Sequence, residues 1–191
     1  MKHAVTKELF AYWDRRRGMR DLPERGDIEP GPIRRILGDT FIASGGTGFP
    51  FRLAGTRMCA LFCRELRATP LLDLWDRASR AALRQILANG FEDQSGTVAS
   101  VQAETADGRE LMLELLVLPL RHNDGAGRMI GTLVPMKIPF WLEVIPLERL
   151  TLGAYRHIGR STDDAMPSLV APLTGAPQRE GFVVLEGGRR D

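Results

Sequence analysis

The sequence predicts one α+β domain, in which helices come first and are followed by two strands, two or three helices and three strands. Three observations predict this class. Apolar residues recur every three or four positions in the N-terminal and middle segments, as in amphipathic helices. They alternate with more polar residues between about residues 97 and 137, as in half-buried strands. A chain of 191 residues, 43% of them hydrophobic, is also long enough to bury one core.

The first predicted element is an amphipathic helix at residues 5–17, and a proline and a glycine bound a short second helix at residues 32–38. Leu9, Tyr12 and Trp13 lie on the apolar side of the first helix. These side chains are too large to leave in water, so they must cover either the open face of the chain's own sheet or a second subunit. We therefore expect a homodimer that forms through this helix or through the outer face of the sheet.

The middle of the chain predicts a hairpin followed by helices. Two strands, at residues 40–43 and 49–54, flank a glycine-rich turn that allows the chain to reverse direction. Residues 56–63 carry a helical stripe of apolar side chains. A longer helix begins at Asp76, a favourable N-cap residue, and ends at Asn89-Gly90.

Three longer strands follow, at residues 97–104, 110–118 and about 129–137. Asp107-Gly108 joins the first two and favours a tight hairpin. Alternation in the middle strand places one apolar set on a common face: Leu111, Leu113, Leu115 and Val117.

The C-terminal part of the chain has a weaker pattern. Residues 139–159 have apolar spacing without a clean period, and the tail beyond them is predicted to be mostly extended. Phe182-Val183-Val184-Leu185 is an apolar patch in this tail. It either pairs with a sheet edge, in this chain or in a partner, or belongs to a loosely packed terminal segment.

Four sequence blocks resemble those of a known family. They are Tyr12-Trp13-Asp14-Arg15-Arg16-Arg17-Gly18, Asp27-Ile28-Glu29-Pro30, Phe51-Arg52-Leu53-Ala54-Gly55-Thr56-Arg57 and Leu116-Val117-Leu118-Pro119-Leu120. Together with the order of elements, they make residues 10–152 similar to a subfamily of compact, stand-alone bacterial PAS domain proteins. The resemblance implies a five-stranded antiparallel sheet with helices on one face, preceded by N-terminal helices. It divides the chain into an N-terminal helical extension (1–38), the PAS core (39–138) and a partly irregular C-terminal extension (139–191).

PAS domains usually sense a small molecule or mediate dimerisation, so the resemblance implies a sensory or adaptor protein. Such a protein binds a small ligand or a signalling protein partner. It acts through that partner or through dimerisation, because no kinase or cyclase motif follows the core in the sequence. Two alternatives remain open: a small-molecule enzyme that uses a similar curved-sheet cavity, and a purely structural interaction module with a filled core.

If the sheet curls around the helices, the two enclose a predicted pocket for a small apolar or aromatic ligand. Arg57 is the polar group expected to orient that ligand. The other predicted lining residues are Phe51, Leu53, Met58, Phe62, Leu83, Leu113, Leu115 and Leu133. The alternative is that these side chains meet and fill the core, since close packing is the default for protein interiors.

No cofactor is identified from the sequence. Cys59 and Cys63 have the spacing of half a metal site, but no other ligands complete it, so we expect two buried apolar-type cysteines and no metal. Flavin is not expected, because Met58-Cys59-Ala60-Leu61 differs from the Asn-Cys-Arg-Phe block of flavin-binding PAS relatives. Haem is not expected either, because residues 77–89, the helix that carries the iron ligand in haem-binding relatives, contain no histidine.

Charge and composition argue against several classes of function. The chain has 26 basic and 24 acidic side chains, and acidic residues interleave the N-terminal arginines, so we expect no nucleic-acid partner. No apolar run is long enough to span a membrane and no secretory signal is present, so a cytoplasmic protein is expected. Glu110 and Glu114 share a strand face expected to point to water, and no nucleophile or phosphate-binding motif occurs. No catalytic residue is therefore assigned, and the chain is not expected to be an enzyme.

Overall fold

The computed structural model describes residues 1–122 and 127–159 of the 191-residue chain. The α-helices of this part are α1 (Ala4–Arg17), α2 (Thr56–Leu61) and α3 (Arg77–Glu92). The strands are β1 (Thr40–Ser44), β2 (Phe51–Ala54), β3 (Gly96–Thr105), β4 (Glu110–Leu120), β5 (Arg128–Pro135) and β6 (Leu147–Ile158). Short 3-10 turns lie at Arg25–Asp27, Gly31–Ile33, Leu37–Asp39 and Leu71–Leu74.

The strands form one antiparallel sheet in the order β2-β1-β5-β4-β3-β6. The α+β class is confirmed, and the five predicted strands are all present close to their predicted bounds. The sheet also contains a strand that the sequence pattern did not predict, because β6 lies along the edge beside β3. Since β6 falls after residue 138, the sheet extends beyond the predicted boundary of the core.

β6 lacks the alternation that marks a half-buried strand, and its pairing explains why. Its register with β3 shifts between Ala99 and Val101 and again between Glu104 and Thr105. Each shift leaves an extra residue in β6, so the side chains on the two sides of the shift change face. The sequence of such a strand has no period of two, which accounts for the missed prediction.

The core cluster is the group of buried apolar side chains between one face of the sheet and the helices α2 and α3. It includes Phe41, Phe51, Met58, Phe62, Trp75, Leu83, Leu113, Leu115 and Leu133. The predicted inner face of β4 belongs to it in full. α3 begins as predicted at Asp76, but it continues beyond Asn89-Gly90 to Glu92.

The opposite face of the sheet is covered by α1 and the 3-10 turns that follow it, so helical elements lie on both faces and not on one. The N-terminal cluster between them contains Leu9, Tyr12, Trp13, Ile33, Ile42, Leu116, Leu118, Leu120 and Ile130. Leu9 and Trp13 are fully buried, and Tyr12 is only 2% exposed. The indole Nε1 of Trp13 donates a hydrogen bond of 2.9 Å to the carbonyl oxygen of Pro119.

This packing decides between the two expected roles of the first helix. Leu9, Tyr12 and Trp13 cover the chain's own sheet, and in this fold they are not available as the predicted dimer interface. The physical reason is that the outer face of β4 and β5 is itself apolar, with Leu116, Leu118 and Ile130 in contact with the helix layer.

Glu114 fastens the start of the chain to the sheet. Its two carboxylate oxygens accept hydrogen bonds from the backbone N–H groups of Lys2 at 2.7 Å and His3 at 3.0 Å. Burial alone would raise the pKa of Glu114, but these hydrogen bonds outweigh it and the pKa lies below its usual value. The expectation that Glu110 and Glu114 both point to water therefore holds only for Glu110, because α1 and its N-terminal residues cover the sheet at Glu114.

Candidate functional site

The structure brings seven of the nine predicted lining residues together in the core cluster. They are Phe51, Met58, Phe62, Leu83, Leu113, Leu115 and Leu133, and none of them is more than 4% exposed. Strands β2, β4 and β5 supply one wall of this group. α2, the residue that follows it and α3 supply the other.

These side chains pack against one another and occupy the space that a ligand would need. Between the end of α3 and the sheet, the interior has a cavity of about 10 Å³, lined in part by Leu87, Phe91 and Met129. That is about the space of one water molecule, whereas ligand pockets usually measure roughly 300–1,000 Å³. A larger depression of about 160 Å³ lies at the surface beside Glu104 and Arg149, away from the predicted site.

Leu53 does not line the interior, because a β-bulge in β2 turns it to the other face of the sheet. Ala43 pairs with Phe51 and Ile42 pairs with Leu53, so Arg52 is the extra residue. Neighbouring residues of β1 point to opposite faces, and so do their two partners. Phe51 therefore enters the core cluster, whereas Leu53 is 47% exposed.

Arg57 lies at the surface and not over the interior. Its guanidinium donates hydrogen bonds to both carboxylate oxygens of Asp39, with Nε 2.9 Å from one of them, and to the carbonyl oxygen of Arg35 at 3.0 Å. Hydrogen bonding to Asp39 raises the pKa of Arg57. The ion pair joins α2 to the preceding 3-10 turn, so the side chain predicted to orient a ligand has a structural contact instead.

The two cysteines differ in exposure. Cys59 is partly buried, but Cys63 is exposed, so the expectation that both are buried is not met. Burial raises the pKa of the Cys59 thiol, which lowers the fraction of the reactive thiolate. Within residues 1–122 and 127–159, no three or more side chains of the metal-ligating types lie close enough together to hold a metal ion.

The apolar loop, residues 136–145 between β5 and β6, is a surface feature that the sequence analysis missed. Leu142 is buried in the core cluster and anchors the loop. Ile138, Phe140 and Val144 are 82%, 92% and 77% exposed. The apolar residues of this segment follow neither a helical nor a strand period, and this gave some indication of the arrangement. A loop that buries one side chain and exposes its neighbours has no regular apolar face.

With this fold and these surfaces established, a family comparison identifies the chain. A family model for the PAS domain matches residues 1–134. The chain belongs to the PAS domain family. The matched region of this PAS protein includes its N-terminal helix α1. None of the helices in the part of the chain described above is long and apolar enough to cross a membrane.

Solved structures similar to this PAS protein include light-oxygen-voltage domains. An RNA-binding light-oxygen-voltage receptor is 19% identical, with 64% of this chain and 36% of the receptor covered and a TM-score of 0.44. The light state of the blue-light photoreceptor Aureochrome1 LOV is 14% identical, with 55% and 86% covered and a TM-score of 0.43. Its dark state is 15% identical, with 59% and 83% covered and a TM-score of 0.42.

The PAS protein thus spans little more than a third of the RNA-binding receptor's length. No curated protein matches its sequence significantly.

Proposed function

We propose that this PAS domain is an adaptor that signals through protein partners, with a packed interior in place of a ligand pocket. PAS domains are sensory domains that bind small ligands or protein partners. The second mode fits the packing better, because the seven converging side chains are all buried in one cluster. The cavity near the end of α3 measures only about 10 Å³ and is lined by other residues. That filled interior is the observation that carries the proposal.

Ion pairs of arginines in and after α1 favour a protein partner over a nucleic acid. Arg16 forms an ion pair with Glu29 at 2.8 Å, and Arg20 forms one with Asp27 at 2.6 Å. Carboxylates of the same chain therefore compete with phosphate groups for these guanidiniums, and they reduce the positive potential that nucleic-acid binding requires. The proposed partner surface is instead apolar.

We also propose that the domain works without flavin and without a catalytic step. The core cluster offers one buried donor without a hydrogen-bond partner, the indole Nε1 of Trp75, and its other side chains are apolar. The polar edge of a flavin ring would therefore lose most of its hydrogen bonds to water without gaining partners there. The ring would also have to displace several closely packed side chains. Glu114, one of the two carboxylates first considered for catalysis, is committed to the backbone of Lys2 and His3.

A small-ligand sensor is the second candidate, and the convergence of apolar side chains from five elements favours it. In that case α2 or α3 must move away from the sheet to admit a ligand. The two candidates differ in one measurable property, which is whether the resting interior accepts an apolar molecule.

The test compares the natural chain with Leu115→Ala, a variant designed to open a cavity in the core cluster. Thermal unfolding is measured with and without a small aromatic probe such as benzene or indole. We expect the probe to stabilise Leu115→Ala, because apolar cavities of this kind bind such molecules, and to leave the natural chain unchanged. Native mass spectrometry and visible absorption of gently purified protein complete the test.

Stabilisation of the natural chain by the probe, or a co-purifying small molecule, would favour the ligand sensor over the adaptor. An absorption band near that of oxidised flavin would refute the flavin-free proposal in particular. Leu115→Ala is the matched positive control, since it shows that the assay detects an open interior.

A further inference from the structure

The edge strand β6 is covered by α3 along only part of its outer side. The backbone N–H of Asp76 donates a hydrogen bond of 3.0 Å to the carbonyl oxygen of Leu150. The backbone N–H of Leu152 donates one of 2.8 Å to the hydroxyl of Ser79. From there α3 runs across the sheet, because Leu87, near its other end, lines the small cavity together with side chains of β4 and β5. α3 thus leaves the second half of β6, residues 154–158, which we call the free edge.

The backbone groups of Tyr155 and His157 point outward from the free edge. Leu152, whose N–H also points outward, lies opposite Val101 of β3. Tyr155 and His157 lie opposite the residues two and four positions before Val101. Alternate residues of a strand direct their backbone groups to the same side, so these residues of β3 bond to β4 and their partners in β6 point outward. Within the described residues, no strand pairs with β6 on this side.

The other edge of the sheet, at β2, is already occupied. Phe51 donates a backbone hydrogen bond of 3.0 Å to the carbonyl oxygen of Thr69 and accepts one of 2.8 Å from the N–H of Ala68. β2 has only four residues, and these contacts cover its start. The free edge of β6 is therefore the better template for an added strand, since unpaired edges readily accept one.

The sequence after β6 contains a segment suited to this edge. The described residues end at Gly159, next to the free edge, and residues 160–191 lie outside the described part of the structure. Phe182-Val183-Val184-Leu185, for which the sequence left pairing with a sheet edge open, consists mainly of aromatic and β-branched residues, the types enriched in strands. A second apolar run, Leu169-Val170-Ala171, directly precedes Pro172, which cannot donate to a strand ladder.

The surroundings of the free edge match an apolar run without alternation. Tyr155 packs against the core cluster, whereas Ile158, on the opposite face, belongs to the N-terminal cluster. A strand added here has apolar neighbours on both faces, and strands in such positions are continuous hydrophobic runs. Glu180 and Glu186 flank the run and carry the charge opposite to that of Arg156, the exposed basic side chain of the free edge.

The connection between β6 and this segment is long enough for the two to meet. Residues 160–181 separate Gly159 from Phe182. A coil of that length has an average span of about 25 Å. The free edge is only roughly 17 Å long, at about 3.3 Å per residue.

We propose that Phe182-Val183-Val184-Leu185 adds to the free edge of β6 as a seventh strand, within the same chain. Its backbone groups pair with those of Tyr155 and His157, which is the contact that drives strand addition in general. In this position the segment closes the edge to strand addition by other chains. The inference goes beyond the proposed adaptor function and does not depend on it.

The test is hydrogen exchange of the full chain at the backbone amides of Tyr155 and His157. In Val183→Pro/Val184→Pro these amides should exchange about tenfold faster or more, because proline breaks the pairing of the added strand. The amide of Arg156 points towards β3, opposite Val98, so its exchange should not change. Circular dichroism checks that the variant folds.

Leu169→Pro/Val170→Pro is the matched control, since it introduces two prolines elsewhere in the tail. We expect it to exchange at Tyr155 and His157 as slowly as the natural chain does. The protection should also be constant over about a hundredfold range of protein concentration, because a segment of the same chain has a fixed effective concentration.

Fast exchange at Tyr155 and His157 in the natural chain would overturn the inference. So would equal rates in the natural chain and Val183→Pro/Val184→Pro, or acceleration that is as large at Arg156 or in the control variant. Protection that increases with protein concentration would overturn it in favour of a segment from a second copy. None of these results depends on the probe experiment with Leu115→Ala.

Discussion

Glu114 illustrates how the role of a single side chain depends on what covers it. The alternation of β4 assigns this residue to the face opposite Leu113 and Leu115, and the structure agrees. The same face is exposed at Glu110 but covered at Glu114, where the N-terminal residues arrive and donate two backbone hydrogen bonds. Local periodicity predicts the face, but it contains no information about a segment more than 100 residues away in sequence that packs there.

Glu114→Gln should destabilise the protein at neutral pH by about 1–3 kcal/mol, because an amide cannot accept both backbone N–H groups as the carboxylate does. The pKa of Glu114 is lowered in the folded state. Its stabilising contribution is thus fully present above the usual glutamate pKa and is lost as the pH falls through the lowered value. The difference in unfolding free energy between the natural chain and the variant should therefore shrink on acidification.

Urea unfolding between neutral and acidic pH measures this difference. Glu110→Gln is the matched control, since it makes the same chemical change on the same face of β4 at an exposed position. We expect its effect to stay within about 0.5 kcal/mol at every pH. Equal effects of the two substitutions would contradict the role assigned to Glu114.

Leu53 shows a second limit at the residue scale. Alternation from Phe51 assigns Leu53 to the interior, but the extra residue Arg52 reverses the faces between them. A bulge depends on how the hydrogen bonds of two strands are matched, and neither strand reveals it alone. The predicted positions of Met58, Leu83 and Leu115 in the interior, by contrast, follow from regular helical or strand periods without such an interruption.

At the scale of elements, the start of α3 is joined to the edge strand β6. The carboxylate of Asp76 accepts hydrogen bonds from the backbone N–H of Ser79 at 2.8 Å and from its hydroxyl at 2.9 Å. The same hydroxyl accepts one from the backbone N–H of Leu152 in β6 at 2.8 Å. The backbone N–H of Asp76 donates to the carbonyl oxygen of Leu150 at 3.0 Å. The N-cap was predictable from sequence, but its contact with a strand some 70 residues later was not.

Asp76→Ala should therefore act on two elements at once. Loss of the N-cap should cost about 1–2 kcal/mol of unfolding free energy. Because Ser79 also loses the carboxylate that orients its hydroxyl, the amide of Leu152 should exchange with solvent faster than in the natural chain. Denaturant unfolding and hydrogen exchange measure these two effects separately.

Asp73→Ala provides the comparison for Asp76→Ala. Asp73 is half-exposed and lies 3.6 Å from Arg80, the geometry of a weak surface ion pair. We expect a change of less than about 0.5 kcal/mol and no effect at Leu152. Unchanged exchange at Leu152 in Asp76→Ala would show that the carboxylate of Asp76 does not help to hold β6 at the edge of the sheet.

At the scale of the whole molecule, one sheet serves both apolar clusters. Leu115 of β4 belongs to the core cluster, and the next residue, Leu116, belongs to the N-terminal cluster. Disruption of the sheet would therefore expose the core cluster and the N-terminal cluster at the same time. The sequence predicted the layer that contains α2 and α3 well, because the hydrophobic patterns of those helices and strands are local. It did not predict whether α1 packs on this sheet or on a second copy, because that choice depends on contacts between residues far apart in the sequence.

Because of this shared sheet, we expect the described fold to unfold in one cooperative step. Trp13 lies in the N-terminal cluster and Trp75 in the core cluster, so each reports on one layer. Two variants isolate them: Trp75→Phe/Trp141→Phe leaves only Trp13, and Trp13→Phe/Trp141→Phe leaves only Trp75. In each variant, the urea midpoint from fluorescence should equal the midpoint from far-ultraviolet circular dichroism. Comparison within a variant removes the cost of the substitutions themselves, such as the lost hydrogen bond from Trp13 to Pro119.

The contradicting outcome is that Trp13 becomes exposed at a lower urea concentration than the one at which circular dichroism is lost. In that case α1 would detach separately from the rest of the fold, and the apolar face that it leaves on β4 and β5 would become a further surface for partners.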